Sequence, residues 1–562
     1  MKKEIAKILH KAIKHEDLKL DLEKIESLIE VPKDPSNGDF SFPCFILASP
    51  LEQPPHEIAI DLRKNIKSKK FSEIQTVGPY INFFLDRPEL SLDLVKIVAT
   101  QKEKYGTSET FKKRKAFVEF SSPNIAKPFH IGHLRSTIIG NSISEICKAQ
   151  GYEVTKANYL GDWGSQFGKL LHAYAKFGDA KKINKDPIKH LYEIYVKINS
   201  KKEYDEESRE WFKKLEQGNK EATILWKDFK EISLKEFDRI YKLMGIKFDV
   251  LLGESQYEKE MLNVVEELKK KKLTKVDEGA LIIDLKKDNL NVALIKKSDG
   301  TTLYVTRDIA SAISRKTRYG FDKMIYEVGQ EQTLHFQQLF KILEMMGYGW
   351  SKDCVHVSHG LYLGKDGKRF ATRKGKTVFL SEIIEETKEL AKKQIKERSP
   401  KIDKKELDER ALKIAIAAIY YGDLKSNRTN SVVFDLERFV SFEGDTGPYL
   451  LYSYARAKSI LRKIKPKKTS KLEIKKLKEK EFALTKKISE FTAIVEKAYE
   501  QLSPSIIANY AYHLAQLFNE FYHDCPVKGS DQELFRIQLV AAFAQTLKNA
   551  LKLLGIETLE EM

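Results

Sequence analysis

Two imidazoles, His130 and His133, stand one helical turn apart with Gly132 between them and the ammonium of Lys127 just upstream. Such a set offers N–H donors and positive charge to an oxyanion, and a phosphate is what it suits best. The residues on either side tell how it is held. Ala116, Phe117, Val118 and Phe120 read as a short apolar strand, Ser-Pro-Asn as a loop, and Leu134, Ile138, Ile139, Ile143 and Ile146 recur at helical spacing. A strand that passes through a glycine turn into a helix N-terminus points unpaired backbone N–H groups and a positive dipole at an anion. Gly132 lets a flat group approach where a side chain would block it. Zinc needs three or four ligands. The four cysteines (Cys44, Cys147, Cys354, Cys525) are scattered with no C-x-x-C, so no bound metal is expected.

A chain of 562 residues should hold three or more domains. Its 99 Lys and Arg against 81 Asp and Glu give a net charge of +18, which favours a polyanionic partner, nucleic acid first. Part of that excess is simply solvated lysine. No apolar run reaches the ~18 residues of a membrane span. The first residues mix acids with bases, unlike a signal or transit peptide. With sparse, unpaired cysteines, a reducing, cytoplasmic location is expected.

Taken in order, residues 3–30 read as helices, with Ile5, Ile8, Leu9, Ala12 and Ile13 on one face. A strand-like D-F-S-F-P-C-F-I-L, a helix over 57–70 and a strand pattern over 74–85 complete a small α+β module. Its Gly78-Pro79 turn would expose Tyr80 and Asn82, a ring and an amide suited to an unpaired base; a cross-strand core aromatic is the commoner fate. A basic linker, 112–115, leads to the central domain. There N-Y-L ends in G-D-W-G-S-Q-F-G, a glycine-rich loop (Asp162, Trp163, Gln166) of the kind found at the carboxyl edge of a parallel sheet. Residues 169–275 read as a charged helical insertion outside the sheet. Strand patterns return at 280–285, 292–296, 303–306, 323–328 and 355–358 with helices between several of them, so a doubly wound α/β sheet is expected.

Residues 365–376, K-D-G-K-R-F-A-T-R-K-G-K, are either a solvated turn or a mobile phosphate-gripping lid. Beyond about residue 410 the periodicity is helical throughout. Tyr449, Tyr452, Tyr454 and Arg456 interleave rings with a base, as a core or as a stacking platform.

The chain resembles the arginyl-tRNA synthetases, a family of class I aminoacyl-tRNA synthetases, over nearly its whole length. The carriers are V-E-F-S-S-P-N-I-A-K-P-F-H-I-G-H-L-R-S-T, N-Y-L-G-D-W-G-S-Q-F-G, L-Y-V-T-R-D, Q-T-L-H-F, F-A-T-R-K-G and G-D-T-G-P-Y-L-L-Y-S-Y-A-R, in that order. The resemblance implies an N-terminal α+β tRNA-binding module (1–111), a Rossmann-like catalytic domain (112–410) and a C-terminal all-α helical-bundle anticodon-binding domain (411–562). It implies a monomer that uses ATP with Mg²⁺, L-arginine and tRNA(Arg), and no membrane. Lys127, His130 and His133 would be catalytic and, with Gly132, Arg373 and Lys374, would hold ATP. Glu119, Ser121, Asn124, His130, Tyr304, Asp308 and Gln332 would line the arginine pocket. Tyr80, Asn82, Tyr449, Tyr452 and Arg456 would meet tRNA.

One departure stands out. The K-M-S-K-S signature of class I enzymes would fall at 368–375, where this chain has K-R-F-A-T-R-K-G. With Phe370 in the Met place, Thr372 replaces the second lysine. Many family members share this loss, and the lysine before H-I-G-H, here Lys127, is thought to compensate. Chemistry agrees with the pocket: a guanidinium is a planar fork of donors best met by carboxylates, and Glu119 and Asp308 can supply them. The ordinary fate of either acid is a surface position or a salt bridge, with Arg307 or Arg135 as partner. Lys127, the two imidazoles and the lid bases would set positive charge around the phosphates. Two rivals remain, a class I synthetase for another amino acid and a non-catalytic tRNA-binding paralogue; a small-metabolite nucleotidyltransferase would not need two tRNA-facing domains.

Overall fold

The computed structural model describes residues 2–13, 20–68, 71–298, 304–370, 372–373, 376–464 and 472–562. The chain divides into two compact units: Met1–Lys102 with Ile464–Ser489 and Glu520–Ala542, and Glu103–Lys463 with Glu490–Asn519 and Phe543–Met562.

In the first unit, strands β1 (Phe40–Pro43), β2 (Phe71–Val77) and β3 (Tyr80–Leu85) form an antiparallel sheet in the order β1-β3-β2. Period-two alternation buries Ile81, Phe83 and Leu85 against helices Lys2–Ala12 and Pro55–Asn65, which contribute Ile5, Leu9, Ile58 and Leu62 to the same core. Gly78, at φ +56, makes the turn between β2 and β3. The stretch D-F-S-F-P-C-F-I-L is strand only as far as Pro43; Phe45–Leu51 is a helix.

The second unit is built on five parallel strands: β4 (Lys115–Glu119), β5 (Glu153–Leu160), β6 (Val250–Gly253), β10 (Lys323–Gly329) and β11 (Cys354–His359). They lie in the order β11-β10-β4-β5-β6. The chain therefore winds from β4 outward through β5 and β6, then returns to the other side of β4 for β10 and β11. That reversal opens a crevice at the carboxyl ends of β4 and β10, where doubly wound sheets bind ligands. Phe117 of β4 and Met324 and Tyr326 of β10 are buried with the helices that flank them.

Three expectations need correction. Residues 169–275 are not wholly outside the sheet: after five α-helices, ending with Lys220–Met244, β6 pairs with β5. Four residues of V-L-L-G within a highly charged segment are too short to stand out. The patterns at 280–285 and 292–296 are strands, β8 (Ala280–Asp284) and β9 (Val292–Lys296), but with β7 (Lys275–Asp277) they form a separate antiparallel sheet. The expected strand 303–306 is instead the start of helix Tyr304–Tyr319, apart from Leu303, which lies outside the described residues. There the helical spacing of Val305, Ile309 and Ala312, all buried, overrides the β-preference of the local Y-V-T. Among the described residues beyond 410 the elements are helices except for strand Val432–Val433, which pairs in parallel with Tyr362–Leu363.

Candidate active site

Past Glu119, the last residue of β4, the backbone takes left-handed φ values at three non-glycine positions: Ser121 (+75), Ser122 (+47) and Ala126 (+59). Each costs on the order of 1–3 kcal/mol and persists only where its surroundings enforce it. Here they do: the Ala126 N–H donates to Ser233 Oγ at 2.7 Å, and Ser121 Oγ lies 2.8 Å from Thr137 Oγ1 and 2.7 Å from Tyr241 OH. The loop delivers His130 to the N-terminus of a short 3-10 turn, Ile131–His133, that runs into helix Leu134–Ala149.

His130 Nδ1 accepts the Gly132 N–H at 3.0 Å, and His133 Nδ1 accepts the His130 N–H at 3.3 Å. Acceptance at Nδ1 leaves the ring proton on Nε2, so each imidazole is a donor there. Burial first, then the charges of Arg369 and Lys127, bring His130 down to about 4. Burial, His130 and Lys127 hold His133 well below its ordinary value. Both rings are therefore neutral at pH 7, which corrects the expectation that they add positive charge to the phosphate site. A Cβ on Gly132 would lie 2.7 Å from His130 Cε1, so any other residue there would push the His130 ring out of place.

His130, Gly132, His133, Ser121, Gln332 and Arg369 line one cleft of about 240 Å³ at the crevice of the parallel sheet. Arg369 escaped the sequence reading, although its signal, K-R-F in the dense cationic loop, was present. Arg373 falls in the two-residue strand Thr372–Arg373, paired with Lys376–Thr377, and Lys374 lies outside the described residues. Lys127 Nζ donates to Gln166 Oε1 at 2.9 Å, and Gln166 Nε2 in turn reaches Asn124 Oδ1 at 3.4 Å. Burial lowers the pKa of the Lys127 ammonium. Asn124 bridges Gly161, which brings the glycine-rich loop beside the H-I-G-H turn. Asp162 of that loop faces inward: it is fully buried and binds Lys230 Nζ at 2.6 Å and the Ser255 N–H at 2.9 Å.

The acids are spread along helix Tyr304–Tyr319, Asp308 in its first turns and Glu119 opposite Arg315 two turns further on. Glu119 is buried against Arg315, Oε2 to Nη2 at 2.5 Å, and Asp308 meets His335 Nε2 at 2.7 Å. Neither pairs with Arg307 or Arg135. Arg307 pairs with Glu254 (3.4 Å) and Glu258 (3.1 Å), and Arg135 with buried Asp423 (2.9 Å). Burial raises Glu119 to about 6; Arg315 opposes that rise and the nearby charge of Asp308 adds to it. Burial likewise lifts Glu254 to about 7, against Arg307. Tyr304, one turn before Asp308, is 64% exposed. Gln332 caps helix Thr333–Met345, which carries His335.

The family model described as "tRNA synthetases class I (R), catalytic domain" matches residues 94–436. The chain belongs to the arginyl-tRNA synthetase family. The model for the arginyl-tRNA synthetase N-terminal domain matches residues 1–85, and the DALR anticodon-binding domain model matches 450–562. Arginine–tRNA ligase of a Clostridium botulinum strain is 44% identical over 555 residues, 97% of this chain and 98% of the relative. The Lactococcus lactis protein of that name is 44% identical over 549 residues, 97% of each chain. The fold is that of the Thermus thermophilus arginyl-tRNA synthetase (TM-score 0.82, 24% identity, all of both chains). It is also that of the Plasmodium falciparum enzyme (TM-score 0.79, 24% identity, 100% and 99% of the chains).

Within this synthetase, Tyr80 is half-buried, its ring edge-on to Phe45 at 5.6 Å, and Phe45 itself is exposed. Asn82 is buried rather than displayed, its Oδ1 accepting from Ser41 Oγ at 2.6 Å. Tyr449, Tyr452 and Arg456 lie half-buried on helix Gly447–Lys463. Tyr449 OH accepts from Asn519 Nδ2 at 2.8 Å, and the Arg456 guanidinium lies 4.7 Å over the Tyr452 ring while reaching Asn519.

Proposed function

We propose that the chain is an arginine–tRNA ligase that works in two steps. The carboxylate of L-arginine attacks the α-phosphorus of ATP, entering as its Mg²⁺ complex, and expels pyrophosphate to leave arginyl-adenylate. The terminal 2′-hydroxyl of tRNA(Arg) then takes the arginyl group and AMP departs. No protein nucleophile is required, and the rate comes from alignment and from charge placed where phosphoryl charge develops. His130 and His133 act as neutral Nε2–H donors to phosphate oxygens, while Lys127, Arg369 and the loop bases Arg373 and Lys374 bring the positive charge. Ser121, Asn124, Tyr304 and Gln332 position arginine, with Glu119 and Asp308 holding its guanidinium.

One observation carries this reading: Glu119, on which the charge of Asp308 acts, ends the strand β4 whose following loop leads to the H-I-G-H turn. A cationic amino acid and a polyphosphate can thus bind side by side with their charges sorted. The N-terminal module, through Tyr80, and the C-terminal helices, through Tyr449, Tyr452 and Arg456, serve tRNA in this proposal, with Asn82 bracing the sheet beneath Tyr80 through Ser41. So does the division at 111 and 410, in a monomeric cytoplasmic enzyme.

ATP–pyrophosphate exchange tests it. Exchange should need arginine and, as in the family, bound tRNA. Exchange driven by a different amino acid would make the chain a synthetase for that residue, and none with any amino acid would leave it a tRNA-binding paralogue.

A further inference from the structure

Arg315 is among the most deeply buried side chains of the second unit, at 1% exposure. Its guanidinium is enclosed by aromatic rings, 4.7 Å from Tyr159 and 5.8 Å from both Phe117 and Tyr326. Its one carboxylate partner among the described residues is Glu119. Asp308 and Arg315 are two turns apart on helix Tyr304–Tyr319, hence on one face, and Glu119 lies against that face at the end of β4.

We propose that Arg315 is a positioning residue for arginine recognition, an internal guanidinium that fixes Glu119 in place and keeps it ionised so that its second oxygen can receive the guanidinium of the substrate. This rests on the reading of Glu119 and Asp308 as the arginine pocket.

The argument is one of charge balance. Burial disfavours the Glu119 carboxylate, and the neighbouring Asp308 disfavours it further. The other groups facing it, Tyr159 from β5, Tyr326 from β10 and Tyr257 from the 3-10 turn Glu254–Tyr257, carry no charge at neutral pH, burial having pushed all three phenols up. Among the described residues Arg315 alone supplies positive charge to Glu119. Arginine fits this post better than lysine, because a planar guanidinium stacks among rings and stays charged when buried. The ion pair engages Oε2 and leaves Oε1. The carboxylate is therefore locked from behind before any substrate arrives, which spares the substrate the work of ordering it.

Arginine affinity measured by calorimetry from pH 5.5 to 8.5 tests this in Arg315→Met, Arg315→Lys and Glu119→Gln. The unsubstituted enzyme should lose affinity as pH falls through about 6, where Glu119 takes up its proton. In R315M that midpoint should rise by about two units, a roughly tenfold weaker affinity at pH 7 that largely recovers by pH 8.5, with ATP affinity unchanged. R315K should move the same way by less, and it carries the test if R315M does not fold. An unshifted midpoint in whichever variant folds, or a loss of affinity equal at every pH, overturns the proposal. E119Q separates the two ideas. If it binds arginine as the unsubstituted enzyme does, the pocket reading itself fails; if it binds weakly while the Arg315 variants keep the original midpoint, only the role of Arg315 falls.

Discussion

Around the H-I-G-H turn, proposed to hold phosphate, His130 and His133 accept backbone N–H groups, Lys127 rests on the amide of Gln166, and among the described residues neither Lys127 nor Arg369 pairs with a carboxylate. Around the acids proposed to hold arginine, Glu119 already has Arg315 beside it and Arg307 has Glu254 and Glu258, while Asp308 is held by His335 Nε2. The contrast follows from what each end must bind. A polyphosphate brings many strong acceptors and its own metal, so donors held by neutral partners are ready without giving anything up. A lone guanidinium must find carboxylates that stayed ionised while buried, and a buried carboxylate without a counter-charge would simply protonate.

If the two ends are independent in this way, substitutions should separate them. The largest effect is expected for Lys127→Ala: about a hundredfold or greater loss of kcat in arginylation, with arginine affinity nearly unchanged. Near-normal turnover would show that Lys127 does not stand in for the lost signature lysine. Next comes Asp308→Asn, which should weaken arginine binding about ten- to a hundredfold by removing a charged acceptor while ATP affinity stays the same. Equal loss for both ligands would mean the ends are coupled. Gln166→Leu frees both Lys127 and Asn124 from their shared bridge and should lower kcat about five- to tenfold, by the worth of a neutral hydrogen bond or two. An unaltered kcat would make the bridge incidental. The mildest contrast is in pH. Glu119 titrates near 6 whereas His130 stays neutral down to about 4, so arginine affinity should fall as pH drops from 7 to 5.5 and ATP affinity should show no histidine step over that range. A step near 6.5 in ATP binding would mean that the imidazoles are charged after all.

The phosphate end was legible in the sequence because it is local. Strand, loop, H-I-G-H and helix follow one another within residues 116–149, and the apolar spacing of Ile138, Ile139, Ile143 and Ile146 announces the helix. Glu119 and Asp308 were named as the acids, and the charge of Asp308 acts on Glu119. Their partners were not legible. Arg315 sits far along the chain in S-R-K-T-R, one base among several, and only the packing of helix Tyr304–Tyr319 against β4 selects it. The left-handed turns at Ser121, Ser122 and Ala126 carry no glycine to mark them. The charge state of the histidines depends on burial, which no motif records. The Gly-Pro turn left open whether Tyr80 and Asn82 are displayed or packed, and the place of Asn82 in β3 points it at Ser41 in the core.

The most direct test replaces the substrate rather than the protein, by comparing L-arginine with L-citrulline, the same shape with a neutral ureido group. The account predicts that the unsubstituted enzyme binds arginine about a hundredfold or more tightly than citrulline, and that Asp308→Asn removes most of that preference. Comparable binding of the two ligands, or a preference left intact by Asp308→Asn, would contradict it.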